Sequence, residues 1–389
     1  MLNFEFYNPT NYVFGKDQIT KLDSLLPSNT TVLLLYGGGS IFKNGIYDSV
    51  KANIGNRDVI EFGGVEANPT FETLMKAVAI IREKNIGFIL AVGGGSVIDS
   101  AKFVSAAVHY KGDAVDILKQ RVLFKDKSVV VPFGTVLTLP ATGSEMNSGS
   151  VITINATKEK LTLGGSALFP IFSICDPTVV FSLPIRQIQN GIVDAYMHVL
   201  EQYLTFYQSA FLQDRIAEGI LQTLIQIGPK IIENPRDYNL AANFMWCCTM
   251  ALNGLIQKGV PSDWATHMIG HELTALYDID HARTLAIIAP RLYLYTFEEK
   301  KQKLKQYANR VWGIDGGNDE EVAKAAIEKT EQFFKDLGVK TKLSDYVFDY
   351  ENTADFIKDR FITRGWIGLG ENKTITPEKV HQIVTASYT

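Results

Sequence analysis

The sequence predicts an α/β domain built on a mostly parallel sheet, followed by an all-helical domain. Three observations predict this fold class. Apolar runs that stop at glycines alternate with amphipathic stretches through the first 180 residues. Beyond about residue 183, apolar residues recur every three or four positions and strand-like runs nearly vanish. The length of 389 residues also exceeds what one ordinary core accommodates. We therefore predict domains at residues 1–180 and 181–389.

The predicted strands of the first domain are apolar runs that end in turn-forming residues. They are TVLLLYGGGS (31–40), DVIEFGGVEANPT (58–70), NIGFILAVGGGS (85–96) and SVVVPFGTVLTLPATGSE (128–145). Between the second and third lies FETLMKAVAIIREKN (71–85), whose apolar residues have the spacing of an amphipathic helix. Continuous apolar strands that alternate with helices indicate a parallel sheet covered on both faces.

The second domain is predicted to consist of long helices. The segments with helical spacing are LPIRQIQNGIVDAYMHVLEQYLT (183–205), FLQDRIAEGILQTLIQIGPKII (211–232) and NLAANFMWCCTMALNGLI (239–256). Pro184 suits a first helical turn, whereas we expect Gly228 and Pro229 to interrupt the second of these helices.

Composition and charge exclude several classes of protein. A net charge of -4 provides no basic surface for nucleic acid. We find no run of eighteen apolar residues and no signal peptide, so we predict a cytoplasmic protein without a membrane segment. The three cysteines show no spacing typical of disulfides or of a thiolate zinc site.

Glycine-rich loops follow three of the predicted strands. Two loops read GGGS, at residues 37–40 and 93–96, and the third is TLPATGSE (138–145). Neither GGGS loop completes the G-x-G-x-x-G pattern, because Phe42 and Ile98 occupy its last position. Ligands of parallel sheets bind at the carboxyl ends of strands, so three such loops favour dinucleotide binding over purely structural turns.

The first loop also bears on the choice of cofactor. NAD-selective sites often place an acidic residue after the second strand, where it holds the ribose hydroxyls. Here Tyr36 is followed by Gly37, Gly38, Gly39 and Ser40, whose backbone N–H groups and hydroxyl suit a 2′-phosphate. This segment therefore predicts NADP(H).

Three of the six histidines fall in one stretch, DWATHMIGHELTALYDIDHA (263–282). His267 and His271 are four positions apart and share a helix face, and His281 follows the break-prone segment 278–280. The stretch is not H-E-x-x-H, because Met268 follows the first histidine and Ala275 stands where a second would follow His271. It therefore lacks the zinc-protease motif.

A second helix offers matching ligands. Asp194 and His198 are also four apart, within GIVDAYMHVLEQY. If the two helices converge in a bundle, one carboxylate and several imidazoles would suit zinc or ferrous iron. The alternative is that each histidine is a hydrogen-bonded core residue.

Together these segments resemble a known family. The motifs are GGGSVIDSAK (93–102), TLPATGSE (138–145), the Asp194 and His198 pair, and the His267, His271 and His281 stretch. Their order resembles the iron-containing (group III) alcohol dehydrogenases, in particular the NADPH-dependent aldehyde reductase and butanol dehydrogenase branch. The resemblance implies a dehydroquinate-synthase-like fold, with a Rossmann-like dinucleotide domain and a helical metal domain, and a homodimer.

The resemblance also implies a set of site residues. The implied metal ligands are Asp194, His198, His267 and His281, with iron or zinc as the metal. The predicted cofactor residues are Gly37, Gly38, Ser40, Asn68, Gly94, Gly95, Ser96, Asp99, Thr138, Asn147 and Lys160. His271 would lie beside the metal, and with Asp99 it is a predicted catalytic residue. Whether His271 relays a proton or only supports the ligand helix stays open.

We therefore predict reversible, metal-dependent and NADP(H)-linked reduction of short- to medium-chain aldehydes to primary alcohols. A bound cation would stabilise the negative charge that hydride transfer builds on the carbonyl oxygen. The alternatives are an NAD-linked glycerol or diol dehydrogenase, or another enzyme of this fold such as a dehydroquinate synthase. A non-catalytic metal-binding module is the third alternative, but it leaves the glycine-rich loops unexplained.

Overall fold

A computed structural model describes residues 1–389, and the chain forms two compact units in it. The first unit contains Tyr7–Pro184 and Pro235–Asn253, and the second contains Met1–Phe6, Ile185–Asn234 and Gly254–Thr389. Helical periodicity does not predict that residues 235–253 belong to the first unit, because helices of either unit show the same apolar spacing. The predicted domain limits at 180 and 181 stay a prediction.

The first unit is built on a parallel sheet. Its strands, with those of a separate hairpin, are β1 (Asn11–Phe14), β2 (Val32–Tyr36), β3 (Val59–Phe62), β4 (Phe88–Gly94), β5 (Phe133–Leu139), β6 (Ser150–Ile154), β7 (Glu159–Leu163) and β8 (Phe172–Cys175). Six strands pair in parallel in the order β1-β8-β5-β4-β2-β3, and β6 and β7 form the antiparallel hairpin. The predicted α/β class is thus confirmed.

Burial explains why the apolar runs form these strands. Leu34, Leu90 and Val92 lie in one core with Phe172 and Ile174, and each is at most 1 % exposed. Because β2, β4 and β5 run in parallel, their carboxyl ends meet at the same edge of the sheet. The three glycine-rich loops, which come directly after these strands, therefore lie at that edge, as the sequence predicts.

Fifteen α-helices complete the chain. The first six are α1 (Leu22–Leu25), α2 (Ser40–Lys43), α3 (Ile46–Asn53), α4 (Phe71–Lys84), α5 (Gly95–Val108) and α6 (Ala114–Lys119). The others are α7 (Ile185–Tyr203), α8 (Phe211–Glu233), α9 (Tyr238–Ala251), α10 (Ala265–Tyr277), α11 (His281–Tyr295), α12 (Phe297–Tyr307), α13 (Asp319–Asp336), α14 (Thr353–Thr363) and α15 (Pro377–Ala386).

The second unit is helical, as its spacing predicts. Residues 185–389 contain no strand, and their one isolated β-bridge joins Leu369 and Ile375. Helix α7 is buried along almost its whole length and packs against α8 and α11, and α10 packs against α11. A helix buried on all sides can present polar side chains only to the interior, which makes its Asp and His residues noteworthy.

The predicted interruption at Gly228 and Pro229 was wrong, because α8 continues through both residues to Glu233. Pro229 removes one N–H donor close to the end of the helix. A Cβ at Gly228 would lie 3.1 Å from Leu337 Cδ2 and 3.6 Å from Ile192 Cγ2, so the helix is packed closely here. We infer that this packing offsets the proline penalty.

None of the helices combines the length and apolar character that crossing a bilayer would require.

Candidate active site

Three helices of the second unit carry the four predicted metal ligands. Asp194 and His198 lie one turn apart on α7, and His267 lies in the first turn of α10. Helix α10 ends before Asp278, which adopts a left-handed conformation (φ 54°), and His281 then begins α11. The predicted break therefore turns the chain back, so that His281 returns to the face that carries His267.

The imidazole nitrogens converge on one carboxylate oxygen. Asp194 Oδ1 lies 3.6 Å from His198 Nε2 and 3.9 Å from the Nε2 atoms of both His267 and His281. The ligand atoms of Asp194, His267 and His281 lie within 4.8 Å of one another. Zinc or iron ligands stand about 2.0–2.2 Å from the ion, so binding would draw these atoms closer together.

His271 lies beside this set. Its ring centroid is 4.8 Å from that of His281 and 6.2 Å from that of His267. The group whose ligand atoms lie within 4.8 Å of one another consists of Asp194, His267 and His281, and it includes neither His271 nor His198. His271 thus lies next to two of the predicted ligands, and its role stays a prediction.

Glu201, also on α7, contacts both the ring and the backbone of the next ligand helix. Its Oε2 contacts His267 Nδ1, and its Oε1 accepts hydrogen bonds from the backbone N–H groups of Thr266 (2.7 Å) and His267 (3.3 Å). A carboxylate at a helix N-terminus is favoured by the helix dipole and by the unpaired amides. Glu201 therefore fixes the first turn of α10 relative to α7.

The charges of this set depend on its burial. Burial lowers the pKa of His198 to about 4, against the attraction of Asp194. Burial also acts to lower the pKa of His267, but the carboxylates of Glu201 and Asp194 outweigh it and raise this pKa to about 9. A protonated His267 therefore balances the charge of Asp194 at neutral pH, and a divalent cation bound at Nε2 would take over that role.

These observations fit a metal site. The donor set is one carboxylate oxygen and three imidazole nitrogens, without thiolates, which suits zinc or ferrous iron. The Nε2 atoms of the three histidines lie 3.6–3.9 Å from this one oxygen, so all three imidazoles face the same carboxylate.

The first unit presents the glycine-rich loops at the carboxyl ends of β2, β4 and β5. Gly39 has φ 99°, a left-handed conformation that glycine adopts without strain, and Ser40 then begins α2. At Gly95, which begins α5, a Cβ would stand 2.4 Å from Thr142 Oγ1. Only a residue without a side chain allows the β4 and β5 loops to approach this closely.

The predicted cofactor residues of the β4 and β5 loops form one polar network. Asp99 accepts hydrogen bonds from Ser144 Oγ (2.6 Å) and from the backbone N–H of Val151 (2.8 Å). Asn147 donates through Nδ2 to the carbonyl oxygens of residues 142 and 143, at 3.3 and 2.9 Å. Both side chains therefore bind their own chain and hold the 142–151 loop.

Lys102 stands at the centre of this network, on α5. It is completely buried, and its Nζ donates to Ser144 Oγ (2.6 Å), Asn147 Oδ1 (2.9 Å) and the carbonyl oxygen of Gly149 (2.6 Å). Burial lowers the pKa of Lys102 to about 8, although the carboxylates of Asp99 and Glu145 act in the opposite direction.

The remaining predicted cofactor residues lie in three places. Lys160, on β7, donates to Asn68 Oδ1 at 3.2 Å, so the structure brings these two together. Ser96 Oγ hydrogen-bonds to the carbonyl oxygen of Ala67, next to Asn68. Thr138 is buried near the end of β5.

Two contributing residues were missed in the sequence, although each carries a signal. Glu201 lies three positions after His198 and seven after Asp194, which places it on the same face of α7. Lys102 lies three positions after Asp99, within the GGGSVIDSAK motif. Spacing places both near the site, but their partners come from other segments.

Comparison with known proteins places this arrangement in a family. Residues 9–177 match the model of "Iron-containing alcohol dehydrogenase", and residues 188–388 match "Fe-containing alcohol dehydrogenase family, C-terminal". The chain is 47 % identical to the NADPH-dependent aldehyde reductase YqhD of Escherichia coli, and the alignment covers all of both chains. It is 44 % identical to the probable NADH-dependent butanol dehydrogenase 1 of Bacillus subtilis, again over both full lengths.

Solved structures agree with this result. The crystal structure of Escherichia coli YqhD superposes with a TM-score of 0.96 over 99 % of each chain, at 46 % identity. NADH-dependent butanol dehydrogenase A of Thermotoga maritima has a TM-score of 0.94 at 36 % identity, over 100 % of this chain and 99 % of that one. The predicted family and fold are confirmed: the chain belongs to the iron-containing alcohol dehydrogenase family.

Proposed function

We propose that the protein is a metal-dependent aldehyde reductase that uses NADP(H) and also catalyses the reverse oxidation of primary alcohols. The observation that carries this proposal is the convergence of the Nε2 atoms of His198, His267 and His281 on Asp194 Oδ1. The glycine-rich loops of the parallel sheet supply the second requirement, a dinucleotide site. The names of the relatives support the substrate class, since they are an aldehyde reductase and butanol dehydrogenases.

The metal ligands in this proposal are Asp194, His198, His267 and His281. Iron and zinc both suit one carboxylate and three imidazoles, and the family name supports iron. When bound, the ion supplies Lewis-acid stabilisation for the negative charge that develops on the substrate oxygen. The chain itself holds the ligands on three buried helices, so their geometry is set before substrate arrives.

NADP(H) is the proposed cofactor because of what surrounds the end of β2. Gly37, Gly38 and Ser40 follow it without a carboxylate. Glu61 on the adjacent strand β3 accepts hydrogen bonds from Tyr47 (2.7 Å), Tyr36 (3.2 Å) and Lys51 (3.3 Å). This carboxylate is thus engaged and partly neutralised, which lowers the repulsion of a 2′-phosphate. The remaining proposed cofactor residues are Asn68, Gly94, Gly95, Ser96, Asp99, Thr138, Asn147 and Lys160.

We also propose a homodimer. Met1, Leu2, Phe4 and Phe6 are each about half exposed, which leaves an apolar N-terminal segment uncovered in one copy of the chain. A second copy of the chain would cover it. The proposed compartment is the cytoplasm.

The activity assay follows NADPH oxidation at 340 nm by purified, metal-loaded protein supplied with butanal. We expect turnover with NADPH, and a kcat/KM about 10–100-fold lower with NADH, because a charged hydrogen bond to the 2′-phosphate contributes about 1.5–3 kcal/mol. Chelator-stripped protein is the control and is expected to be inactive. Turnover without metal would contradict the metal proposal, and an NADH preference would contradict the cofactor proposal.

His271 is the proposed proton relay to the nascent alcohol. Substitution His271→Ala is expected to lower kcat by about 10²–10⁴-fold, the range of general acid–base catalysis, while metal content is unchanged. His271 is chosen because its ring lies beside that of the proposed ligand His281, at a centroid distance of 4.8 Å. An unchanged kcat with intact metal would leave His271 with a supporting role only.

A further inference from the structure

The carboxylate of Glu201 has polar partners on both of its oxygens. Oε1 accepts the backbone N–H groups of Thr266 and His267, at 2.7 and 3.3 Å, and Oε2 contacts His267 Nδ1. The side chain is only 1 % exposed, so water cannot replace these partners. Backbone amides donate and never accept, so the Oε1 side of this carboxylate has a fixed polarity.

The same contact determines which nitrogen of His267 carries the proton. An ionised carboxylate only accepts hydrogen bonds, so the neutral imidazole must present Nδ1–H to Oε2. Its other nitrogen, Nε2, then carries a lone pair. Nε2 is the atom that points towards Asp194 Oδ1, 3.9 Å away.

We propose that Glu201 is a positioning residue that holds His267 as the Nδ1–H tautomer, so that Nε2 is free to bind a divalent metal ion. The inference rests on the ligand set proposed above, in which His267 is a metal ligand. A carboxylate on the far nitrogen of a ligand histidine fixes both the tautomer and the orientation of the ring, and raises its basicity.

The surroundings show that Glu201 is held firmly enough for this role. Its carbonyl oxygen accepts the backbone N–H of Asp263 at 2.7 Å, and Asp263 Oδ1 in turn accepts the N–H of Ala265 at 2.8 Å. Asp263 also pairs with the buried Lys300, whose Nζ is 2.8 Å from Oδ2. Both the backbone and the side chain of Glu201 thus contact the segment that leads into α10.

His198 provides a contrast within the same site. Its Nδ1 is buried and has no hydrogen-bond partner from the protein. The rings of His198 and His267 are stacked, with centroids 4.8 Å apart, but only the Nδ1 of His267 contacts a carboxylate. A substitution at residue 201 can therefore change the tautomer of His267 without a direct effect on the hydrogen bonds of His198.

Substitution Glu201→Gln makes a sharp test because glutamine keeps the shape but has only one acceptor oxygen. That oxygen must face the fixed N–H donors of Thr266 and His267, which leaves the NH₂ group against His267 Nδ1. Nδ1 must then accept, and the proton moves to Nε2, where it blocks the metal. Glu201→Ala removes the contact altogether, so either tautomer can form.

The two substitutions are expected to rank differently for stability and for metal binding. The melting temperature of the metal-free protein should fall in the order wild type, Glu201→Gln, Glu201→Ala, because glutamine still caps α10. Zinc affinity, measured by competition with a chromophoric chelator, should be about 10–100-fold weaker in Glu201→Gln than in wild type and no stronger than in Glu201→Ala. If Glu201 had a purely structural role, zinc affinity would fall in the same order as the melting temperature: wild type, Glu201→Gln, Glu201→Ala.

Two further variants complete the experiment. Glu272→Gln changes an equally buried carboxylate on α10 that pairs with Arg360 and Arg364 instead of a histidine, and its zinc affinity is expected to stay within about twofold of wild type. His267→Ala tests the ligand set itself. The visible spectrum of the cobalt-substituted proteins reports ligand geometry without any assay of activity.

The outcomes separate the two proposals. If His267→Ala binds zinc as wild type does, the ligand set is wrong and the Glu201 inference falls with it. If His267→Ala loses zinc but Glu201→Gln binds zinc as tightly as wild type does, the ligand set stands and the tautomer role of Glu201 is refuted. The same conclusion follows if the zinc affinity of Glu201→Gln lies between those of wild type and Glu201→Ala, as its melting temperature is expected to do.

Discussion

Replacement of His267 by alanine is expected to remove the bound metal and to lower kcat/KM for aldehyde reduction by about 10³-fold or more. Loss of Lewis-acid stabilisation raises the activation free energy by several kcal/mol, and an increase of about 4 kcal/mol lowers the rate about 10³-fold. The effect should be large because His267 is buried between two carboxylates, Glu201 and Asp194, and its Nε2 is one of the three imidazole nitrogens that face Asp194 Oδ1. Metal content by mass spectrometry and NADPH oxidation are the two measurements.

The fold should survive this substitution. The parallel sheet of the first unit has its own core, and α10 keeps the backbone hydrogen bonds that Glu201 accepts. Circular dichroism should therefore be unchanged. His109→Ala is the matched control, since His109 is exposed at the end of α5 and is expected to keep full metal content and activity. Normal metal and turnover in His267→Ala would remove His267 from the ligand set.

The fold could be predicted from the sequence to a large extent, because its signals are local. Apolar runs that stop at glycines became β2, β4 and β5, and helical spacing identified α4, α7 and α8. The interruption at Pro229 was wrong because tertiary packing on Gly228 overrides a local penalty, and no local pattern reports such packing. Tertiary packing also decides that α9 belongs to the unit that contains the sheet, so the local apolar spacing of α9 could not predict it.

The candidate site was predictable only in part. The spacing of Asp194 and His198 identifies one helix face, and the break before His281 identifies a chain reversal. The convergence of these groups depends on the angles between α7, α10 and α11, which spacing does not determine. Glu201 shows this limit well: its face on α7 can be read from the sequence, but its contact with His267 requires the packed helices.

Replacement of Lys102 by methionine is expected to destabilise the first unit by about 3–5 kcal/mol and to raise the KM for NADPH. Methionine fills similar volume but has no donors, so Ser144 Oγ, Asn147 Oδ1 and the carbonyl of Gly149 all lose their shared partner. The carboxylate of Asp99, whose side chain is 15 % exposed and whose Oδ1 lies 3.9 Å from Nζ, also loses its nearby positive charge. Removal of one member of a buried charge pair typically costs this much.

The effect on the cofactor follows from the loop that Lys102 holds. Asn147 and Asp99 are proposed cofactor residues, and both depend on this network for their orientation. We expect the KM for NADPH to rise about 10-fold or more while kcat changes less, since an interaction made equally in ground and transition states affects binding. Thermal melts with and without NADPH, together with steady-state kinetics, measure the two effects.

Ser105→Ala provides the control, one turn farther along α5. Ser105 is also fully buried, and its hydroxyl donates to the carbonyl oxygen of Val131 at 2.5 Å, away from the 142–151 loop. Its loss should cost about 1 kcal/mol and leave the KM for NADPH unchanged. If Lys102→Met melted lower but bound NADPH as Ser105→Ala does, the buried lysine would stabilise the fold without orienting the cofactor loop. The proposed cofactor roles of Asp99 and Asn147 would then have to stand without it.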